Sequence, residues 1–218
     1  MNKSLPPPSC VKSAGRPKAS EVEARTQELI HVAGGLFLKH GYTKVSLEAI
    51  AREARVAVRT IYVKFGGKAG LLKAALVARR ERFFPAGSME EDTRPLRAIL
   101  DDFARVFYAL LCESDAVALQ RVVIAESGSN PELADTFYEA GPRMTREMLD
   151  RFFARADVRA QLREDLPFDQ LAPYLISCIN GDPLGRFLFP GQEPCGEEAQ
   201  RLLTQRMELF YRSVLKHP

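Results

Sequence analysis

Apolar residues recur at helical spacing along nearly the whole chain, and this pattern limits the possible folds more than any other feature of the sequence. After Pro95, for example, Leu96, Ile99 and Leu100 lie on one face of a helix. No segment alternates apolar and polar residues in the way that a half-buried strand does. The sequence therefore predicts an all-α protein.

Glycine and proline divide this helical pattern into about nine segments. The predicted helices cover about residues 22–40, 47–54, 58–65, 68–84, 96–111, a segment around 122–125, 131–156, 168–189 and 197–215. Pro142 and the run Gly181-Asp182-Pro183 fall inside two of them and are expected to kink or interrupt those helices. Residues 122–125 are apolar on all sides, which predicts a central position in a helical bundle.

The chain divides into an arm and two predicted domains. Residues 1–20 are rich in Pro, Ser, Gly and Lys, so they are expected to form a disordered basic arm. Residues 21–66 hold one long helix and two short ones, and residues 67–218 hold the remaining helices. This second region is long enough to bury a core of its own as a helical bundle.

The two short helices are joined by a tight turn around residues 54–57. The first begins after Ser46, a favourable N-cap residue, and the second runs from Val58 to Phe65 and ends at Gly66-Gly67. Two such helices packed on a longer one describe a helix-turn-helix unit, whose second helix enters the major groove of DNA.

Charge is segregated along the chain. Residues 1–66 hold 11 Lys and Arg against 5 Asp and Glu, a balance of +6, whereas residues 67–218 hold 20 against 23, a balance of −3; the sum is +3. A basic end indicates a polyanionic partner, because neutralised phosphates release condensed counterions. A basic face that only keeps the protein in solution is the alternative.

Several classes of protein are excluded by what the sequence lacks. Its apolar runs are far shorter than the roughly 20 residues of a membrane span, and no signal-peptide block follows the first Met, so a cytoplasmic protein without membrane contact is expected. The four cysteines and three histidines form no ligand spacing, so neither a metal nor a cofactor is expected. Neither a nucleophile and base pair nor a glycine-rich phosphate loop is evident, which argues against an enzyme.

Residues 25–72 resemble the TetR family of one-component transcriptional regulators. The positions that match are Ala33, Phe37, Gly41-Tyr42, Ser46, Ile50-Ala51, Ala54, Val56, Thr60-Ile61-Tyr62, Phe65, Lys68 and Leu71-Leu72. A second segment, which includes Arg121–Glu126, Asn130–Ala134 and Phe137-Tyr138, resembles the carboxy-terminal domain of the AefR-like branch. The resemblance implies a homodimer, a palindromic operator in double-stranded DNA and a variable small-molecule domain.

The chain departs from the family pattern at a few positions. Arg55 stands where the family usually has a turn glycine, and Ala57 stands where it usually has a Ser or Thr cap. Gly67 and Ala69 replace the common Ser and Glu around Lys68. A missing cap costs about 1 kcal/mol, which a tertiary core can absorb.

The resemblance and the residue chemistry together give a set of predicted DNA contacts. These are Arg16, Ser46, Val58, Arg59, Thr60, Tyr62, Lys64 and Lys68. The guanidinium of Arg59 suits guanine O6 and N7, with a plain phosphate contact as the alternative. Ser46 and Lys68 are expected at phosphates, although Ser46 would also serve as a cap alone. Arg16, in the arm, is expected in a minor groove, and a solvated tail is the alternative.

The carboxy-terminal helices supply predicted ligand and dimer residues. The ligand set is Phe103, Phe107, Leu110, Ile124, Phe137, Tyr138, Met144, Met148, Tyr174 and Cys178, for each of which plain core packing is the alternative. The dimer set is Gly181, Gly185, Leu202, Leu203, Met207, Phe210 and Val214, with packing inside one chain as the alternative.

These expectations combine into one functional hypothesis. The sequence predicts a repressor that an apolar small molecule releases from a palindromic operator. A helical enzyme, such as a hydrolase or a haem or flavin protein, is one competing hypothesis. A small-molecule carrier whose basic end binds RNA or a membrane surface is another. Binding to a palindromic duplex with a steep salt dependence distinguishes the regulator from both.

Overall fold

A computed structural model describes residues 19–85, 89–189 and 196–217, and these residues form twelve α-helices and one 3-10 helix. The α-helices are α1 Ala19–His40, α2 Leu47–Glu53, α3 Val58–Phe65, α4 Lys68–Phe83, α5 Leu96–Cys112, α6 Ser114–Glu126, α7 Pro131–Ala140, α8 Pro142–Phe153, α9 Ala156–Arg159, α10 Leu171–Asn180, α11 Pro183–Leu188 and α12 Gly196–Val214. The 3-10 helix is Phe168–Gln170. The all-α prediction is confirmed. The predicted arm, with Arg16, lies almost wholly outside the described residues.

Breaks at proline and glycine account for two of the three α-helices beyond the nine that were predicted, and the third is the four-residue α9, which the sequence did not predict. Pro142 begins α8 directly after Gly141, because proline fits the first turn of a helix but not its interior. Gly181 ends α10 with φ +64°, and the side chain of Asp182 then caps α11 by accepting from the Leu184 N–H at 3.0 Å. The predicted interruptions therefore separate complete helices.

Two apolar clusters hold the helices together. The first core joins α1, α2, α3 and the start of α4 to the sides of α6 and α7; its fully buried members include Phe37, Ile50, Ile61, Leu71 and Leu133. The second core lies between α5, α8, α10 and α12, where Leu100, Leu149, Leu175 and Phe210 are buried. Each such side chain stabilises the fold by about 1.5–3 kcal/mol relative to an exposed one.

Helix α6 is less central than the sequence predicted. Val122 and Val123 are half-buried against the first core, but Ile124 is 59 % exposed and Ala125 also faces solvent. Other helices therefore cover only one side of this apolar run in α6. The prediction of a helix buried on every side is wrong because sequence periodicity does not distinguish an apolar surface from a core.

Candidate nucleic-acid interface and internal cavity

Helix α3 presents an exposed face made of both charged and apolar side chains. Ile61 is fully buried and anchors the helix, whereas Arg59 is exposed, Tyr62 is 56 % exposed and Val63 is 75 % exposed. Val58 and Thr60 are half-buried. Sequence reasoning missed Val63, although an apolar residue off the buried face of a short helix was an available signal. The exposed face has the size and chemistry to contact base edges and thymine methyl groups.

The basic side chains near this face have no ion-pair partner among the residues that the structure describes. All thirteen ion pairs among the described residues have both partners at or beyond Arg79. The exposed cations of the first three helices and their connecting segments, which include Arg25, Lys44, Arg52, Arg55 and Arg59, take part in none of those pairs. Unpaired surface cations are available to neutralise phosphates, so this end of the molecule is suited to a polyanion.

Three of the predicted DNA contacts already have partners within the protein. The Ser46 hydroxyl accepts from the Ala49 N–H at 3.2 Å and so caps α2. The Lys64 amine donates to the Thr26 hydroxyl on α1. These two side chains remain exposed, so an additional phosphate contact is still sterically open to them.

Lys68 is held more firmly than the other two. Its amine lies 4.4 Å from the centroid of the Tyr42 ring and donates to the Thr43 carbonyl at 3.3 Å. Burial lowers its pKa, against the opposing influence of Glu126 and Glu132. Lys68 therefore has contacts within the protein, and its phosphate contact stays a prediction.

A carboxylate from α6 reaches the loop between α1 and α2. Glu126 Oε2 accepts from the Thr43 N–H at 2.9 Å and from the Thr43 hydroxyl at 2.6 Å. Gly41 leaves the space for this contact, since a Cβ there would lie 2.7 Å from Glu126 Oε1, and its φ of +83° also favours glycine. The loop that precedes α2 is thus tied to the end of α6.

An internal cavity of about 260 Å³ lies between α4, α5, α6, α7, α8 and α10. Its wall is mainly apolar and includes Leu76, Phe107, Leu110, Leu111, Leu119, Phe137 and Ile176. Two arginines of α4, Arg79 and Arg80, also line it, as do the polar side chains of Gln120, Thr145 and Asn180. Concave apolar sites with a few convergent polar groups are typical of small-molecule binding.

Family profiles match both parts of this architecture. Residues 29–75 match the tetR family of bacterial regulatory proteins, and residues 98–212, more than half of the chain, match the carboxy-terminal domain of AefR-like transcriptional repressors. The chain belongs to the TetR family. Its α2 and α3 are the helix-turn-helix of a DNA-binding transcriptional regulator, with α3 as the recognition helix.

Relatives and solved structures agree with this assignment. The uncharacterized HTH-type transcriptional regulator Rv1556 of Mycobacterium tuberculosis is 26 % identical over 185 residues, which cover 82 % of this chain and 84 % of the relative. The HTH-type transcriptional repressor KstR of Rhodococcus jostii is 27 % identical over 141 residues, which cover 65 % of this chain and 63 % of KstR. The structure of the flavonoid-responsive regulator FrrA superposes with a TM-score of 0.70 at 29 % identity, covering 90 % of this chain and 100 % of the other.

Two of the departures from the TetR-family pattern, Arg55 and Ala57, have visible consequences in the helix-turn-helix. Arg55 adopts φ +54°, and it is the only non-glycine residue with positive φ in the described part of the chain. The usual glycine accommodates this left-handed conformation without steric cost, whereas arginine does not. Ala57 precedes α3 with no side-chain hydrogen bond, so the recognition helix lacks the cap that Ser46 gives to α2.

The predicted ligand residues of this TetR-family chain are only partly brought together. Phe107, Leu110 and Phe137 line the cavity. Phe103 and Met148 are buried in the second core, while Met144 and Cys178 are half-buried and off the cavity wall. Ile124, Tyr138 and Tyr174 are among the exposed residues, because they lie on the outward faces of their helices, so the structure corrects their assignment to an internal pocket.

The sequence missed most of the remaining cavity wall. Arg79 could have been recognised as a cavity residue, because in the helical pattern it falls on the apolar edge of α4. A charged residue at such a position marks a place where a helix faces something other than plain core. Thr145 and Asn180 carried no comparable signal.

The predicted dimer stripe requires correction. Leu203, Met207, Phe210 and Val214 are buried within the chain itself, so they belong to the second core and are not available to a partner. Leu202 is half-buried. This end of the chain nevertheless exposes four large apolar side chains. They are Leu184 and Leu188 of α11, Phe189 directly after it, and Leu209 of α12.

The two glycines of the predicted dimer set have intramolecular explanations. Gly181 has φ +64°, a conformation that favours glycine. A Cβ added there would also lie 3.0 Å from the guanidinium carbon of Arg206. Gly185 faces the Asp182 cap of its own helix. Neither glycine provides a stripe for close approach of a second chain.

Residues 19–85, 89–189 and 196–217 contain neither a metal-binding cluster nor a membrane-spanning helix. No group of three His, Cys, Asp or Glu side chains there is arranged to hold a metal ion. No helix in the same segments is both long and apolar enough to cross a membrane.

Proposed function

We propose that this TetR-family regulator is a repressor that binds a palindromic operator as a homodimer and leaves it when a small molecule occupies the internal cavity. One observation carries the proposal: α4 lines the cavity through Leu76, Arg79 and Arg80, and the same helix begins directly behind the recognition helix. A ligand that displaces α4 therefore also displaces α3.

The DNA side of the proposal is supported by exposure and charge. Arg59 reads a guanine, while Tyr62 and Val63 offer apolar contact to a thymine methyl group. Arg25, Lys44 and Arg52 of α2 supply phosphate contacts. If Arg59→Ala lowers operator affinity and random-DNA affinity equally, the guanine assignment fails and a phosphate contact takes its place.

A dimer follows from the geometry of the major groove. Two recognition helices have to be about 34–36 Å apart, or a multiple of that, to enter successive grooves on one face of the duplex. The exposed apolar side chains of α11 and α12, including Leu184, Leu188 and Leu209, supply the surface for the second copy. A small rotation of α4 then misplaces both recognition helices at once.

Release requires that the ligand binds the DNA-incompetent conformation more tightly than the competent one. Operator DNA then weakens ligand binding by the same factor. Calorimetric titration of an effector with and without operator therefore tests the coupling directly. Equal effector affinities in the two titrations would reject release by this route.

The cavity assignment is tested by filling it. Ala116 lines the cavity on α6, whereas Ala125 lies on the same helix and faces solvent. Selection from a random duplex pool gives the operator, and a metabolite screen for its release gives the effector. We expect Ala116→Phe to keep operator binding and lose release, and Ala125→Phe to keep both. An effector that still releases Ala116→Phe at unchanged concentration binds elsewhere.

A further inference from the structure

The internal cavity carries a positive charge that no carboxylate in the described part of the chain neutralises. Two guanidinium groups, of Arg79 and Arg80, lie in a wall that is otherwise mainly apolar. Arg79 forms an ion pair with Glu113 at the start of α6. Arg80 forms no ion pair with any residue that the structure describes. The cavity therefore has one cation in excess.

The contacts of Arg80 are weak ones. Its Nη2 approaches the Met148 sulfur at 3.5 Å, and a thioether is a poor acceptor. Its guanidinium carbon is 5.9 Å from the centroid of the Phe84 ring. Its buried Nε, like that of Arg79, has no hydrogen-bond acceptor among the described residues. A guanidinium offers five N–H donors, so most of this group's capacity is unused.

The neighbouring charges do not compensate for this deficit. Glu81 is exposed to solvent on the next position of α4. Arg151 of α8 is itself a cation, and its Nε donates to Glu90 at 2.7 Å. A partly buried guanidinium without a counter-ion is unfavourable, and its natural partner is a carboxylate, which takes two parallel N–H donors.

We propose that the cavity binds a compact amphipathic monoanion, namely a carboxylic acid with an apolar body, and that the Arg80 guanidinium holds its carboxylate. This inference rests on the proposed function in taking the cavity as the effector site. The single unpaired cation matches one negative charge. At about 260 Å³ the cavity lies just below the roughly 300–1,000 Å³ of drug-sized sites, which favours a compact apolar body.

Matched pairs of ligands test the charge. The probes are hexanoic, decanoic, cinnamic and 2-naphthoic acids, each compared with its primary amide, which has nearly the same shape and no charge. Titration calorimetry on the full-length protein gives their affinities. We expect the best acid to bind at least about tenfold more tightly than its amide, because hydrogen bonds to a charged group are worth more than neutral ones. An amide that binds as tightly as its acid overturns the inference.

Three variants locate the interaction. Arg80→Met keeps the unbranched stem and removes the charge, and Arg80→Lys keeps the charge and removes the planar fork. Arg82→Met removes an exposed cation from the same turn of α4, away from the cavity, and is the control. We expect Arg80→Met to abolish the preference for acids, Arg80→Lys to retain part of it and Arg82→Met to leave it unchanged. Unchanged selectivity in Arg80→Met overturns the role of Arg80.

The thermal midpoint of each ligand-free variant shows whether it is folded, and removal of an unpaired charge is not expected to lower it. If none of the acids binds, the anion inference is wrong. The proposed function then still stands if a neutral metabolite releases the operator and Ala116→Phe blocks that release. If acids bind through Arg80 but operator release is insensitive to every ligand, the inference stands and the proposed function fails.

Discussion

The carboxylate of Glu126 accepts both the N–H and the hydroxyl of Thr43, at 2.9 Å and 2.6 Å. Glu126 ends α6, whose inner face lines the cavity, and Thr43 precedes the cap of α2. The cavity therefore has a connection to the helix-turn-helix besides α4. A shift of α6 reaches the start of α2 through this pair of hydrogen bonds.

Glu126→Ala is expected to lower the free energy of unfolding by about 1 kcal/mol, since two partly exposed hydrogen bonds are lost. It is also expected to reduce the ratio between effector affinities measured without and with operator. Thr43→Val removes the hydroxyl alone and should have a smaller effect. A double-mutant cycle of the two changes isolates the contact. A ratio unchanged in Glu126→Ala would show that this pair of hydrogen bonds does not contribute to the coupling.

Arg55→Gly is expected to raise the free energy of unfolding by about 0.5–1 kcal/mol. Glycine relieves the left-handed strain at φ +54°, and its greater freedom in the unfolded chain offsets part of the gain. Arg52→Gly removes a neighbouring exposed cation inside α2 and should lower the stability by about 1 kcal/mol. Urea denaturation of both variants checks the opposite signs. A destabilised Arg55→Gly would mean that its guanidinium makes a stabilising contact.

Ala57→Ser is expected to stabilise the protein by about 0.5–1 kcal/mol, because a hydroxyl at this position adds a side-chain acceptor for the first turn of α3, where the Thr60 N–H now donates to the Ala57 carbonyl at 2.8 Å. Ser46→Ala is the matched loss, since it removes the existing cap of α2 and should lower stability by a similar amount. The shift of the denaturation midpoint at constant slope measures both. No gain in Ala57→Ser would show that water already serves these donors equally well.

Leu209→Glu and Phe210→Glu are expected to differ although the residues are adjacent. Leu209 is 64 % exposed, so a charge there should separate the dimer and leave the fold of each chain unchanged. Phe210 is fully buried against Tyr174 and Tyr211, so a carboxylate there should cost more than about 3 kcal/mol and unfold the second core. Sedimentation together with circular dichroism distinguishes the two. A Leu209→Glu protein that sediments as a stable dimer would place the interface elsewhere.

The boundaries of α2 and α3 were predictable because their causes are local. Ser46 caps a helix through its own hydroxyl, and Gly66, with φ +75°, ends one through its own backbone. The partners of an apolar face were not predictable, because periodicity says that a face is buried and not what buries it. Phe210 was therefore assigned to a second chain and packs within its own. Ile124 was assigned to a cavity and faces solvent.

The DNA face depends on local sequence, whereas the cavity depends on how distant helices pack. Arg59 and Tyr62 lie close together in the sequence on one short helix, so a local motif sufficed to place them side by side. Residues from six helices form the cavity, and its wall depends on how those helices cross. Only the out-of-place charge of Arg79 on an apolar edge could have pointed to it.

The first core also has a consequence for how such regulators can be recombined. Leu119 of α6 and Leu133 of α7 are buried among Phe37, Ile50 and the other side chains of the helix-turn-helix region. A hybrid protein joined at residue 66 would place these two leucines against a foreign surface, with gaps or clashes in place of close packing. To transfer the DNA specificity of this chain, α6 and α7 therefore have to be moved together with α1 to α4. The transferable unit extends well beyond the helix-turn-helix motif recognised in the sequence.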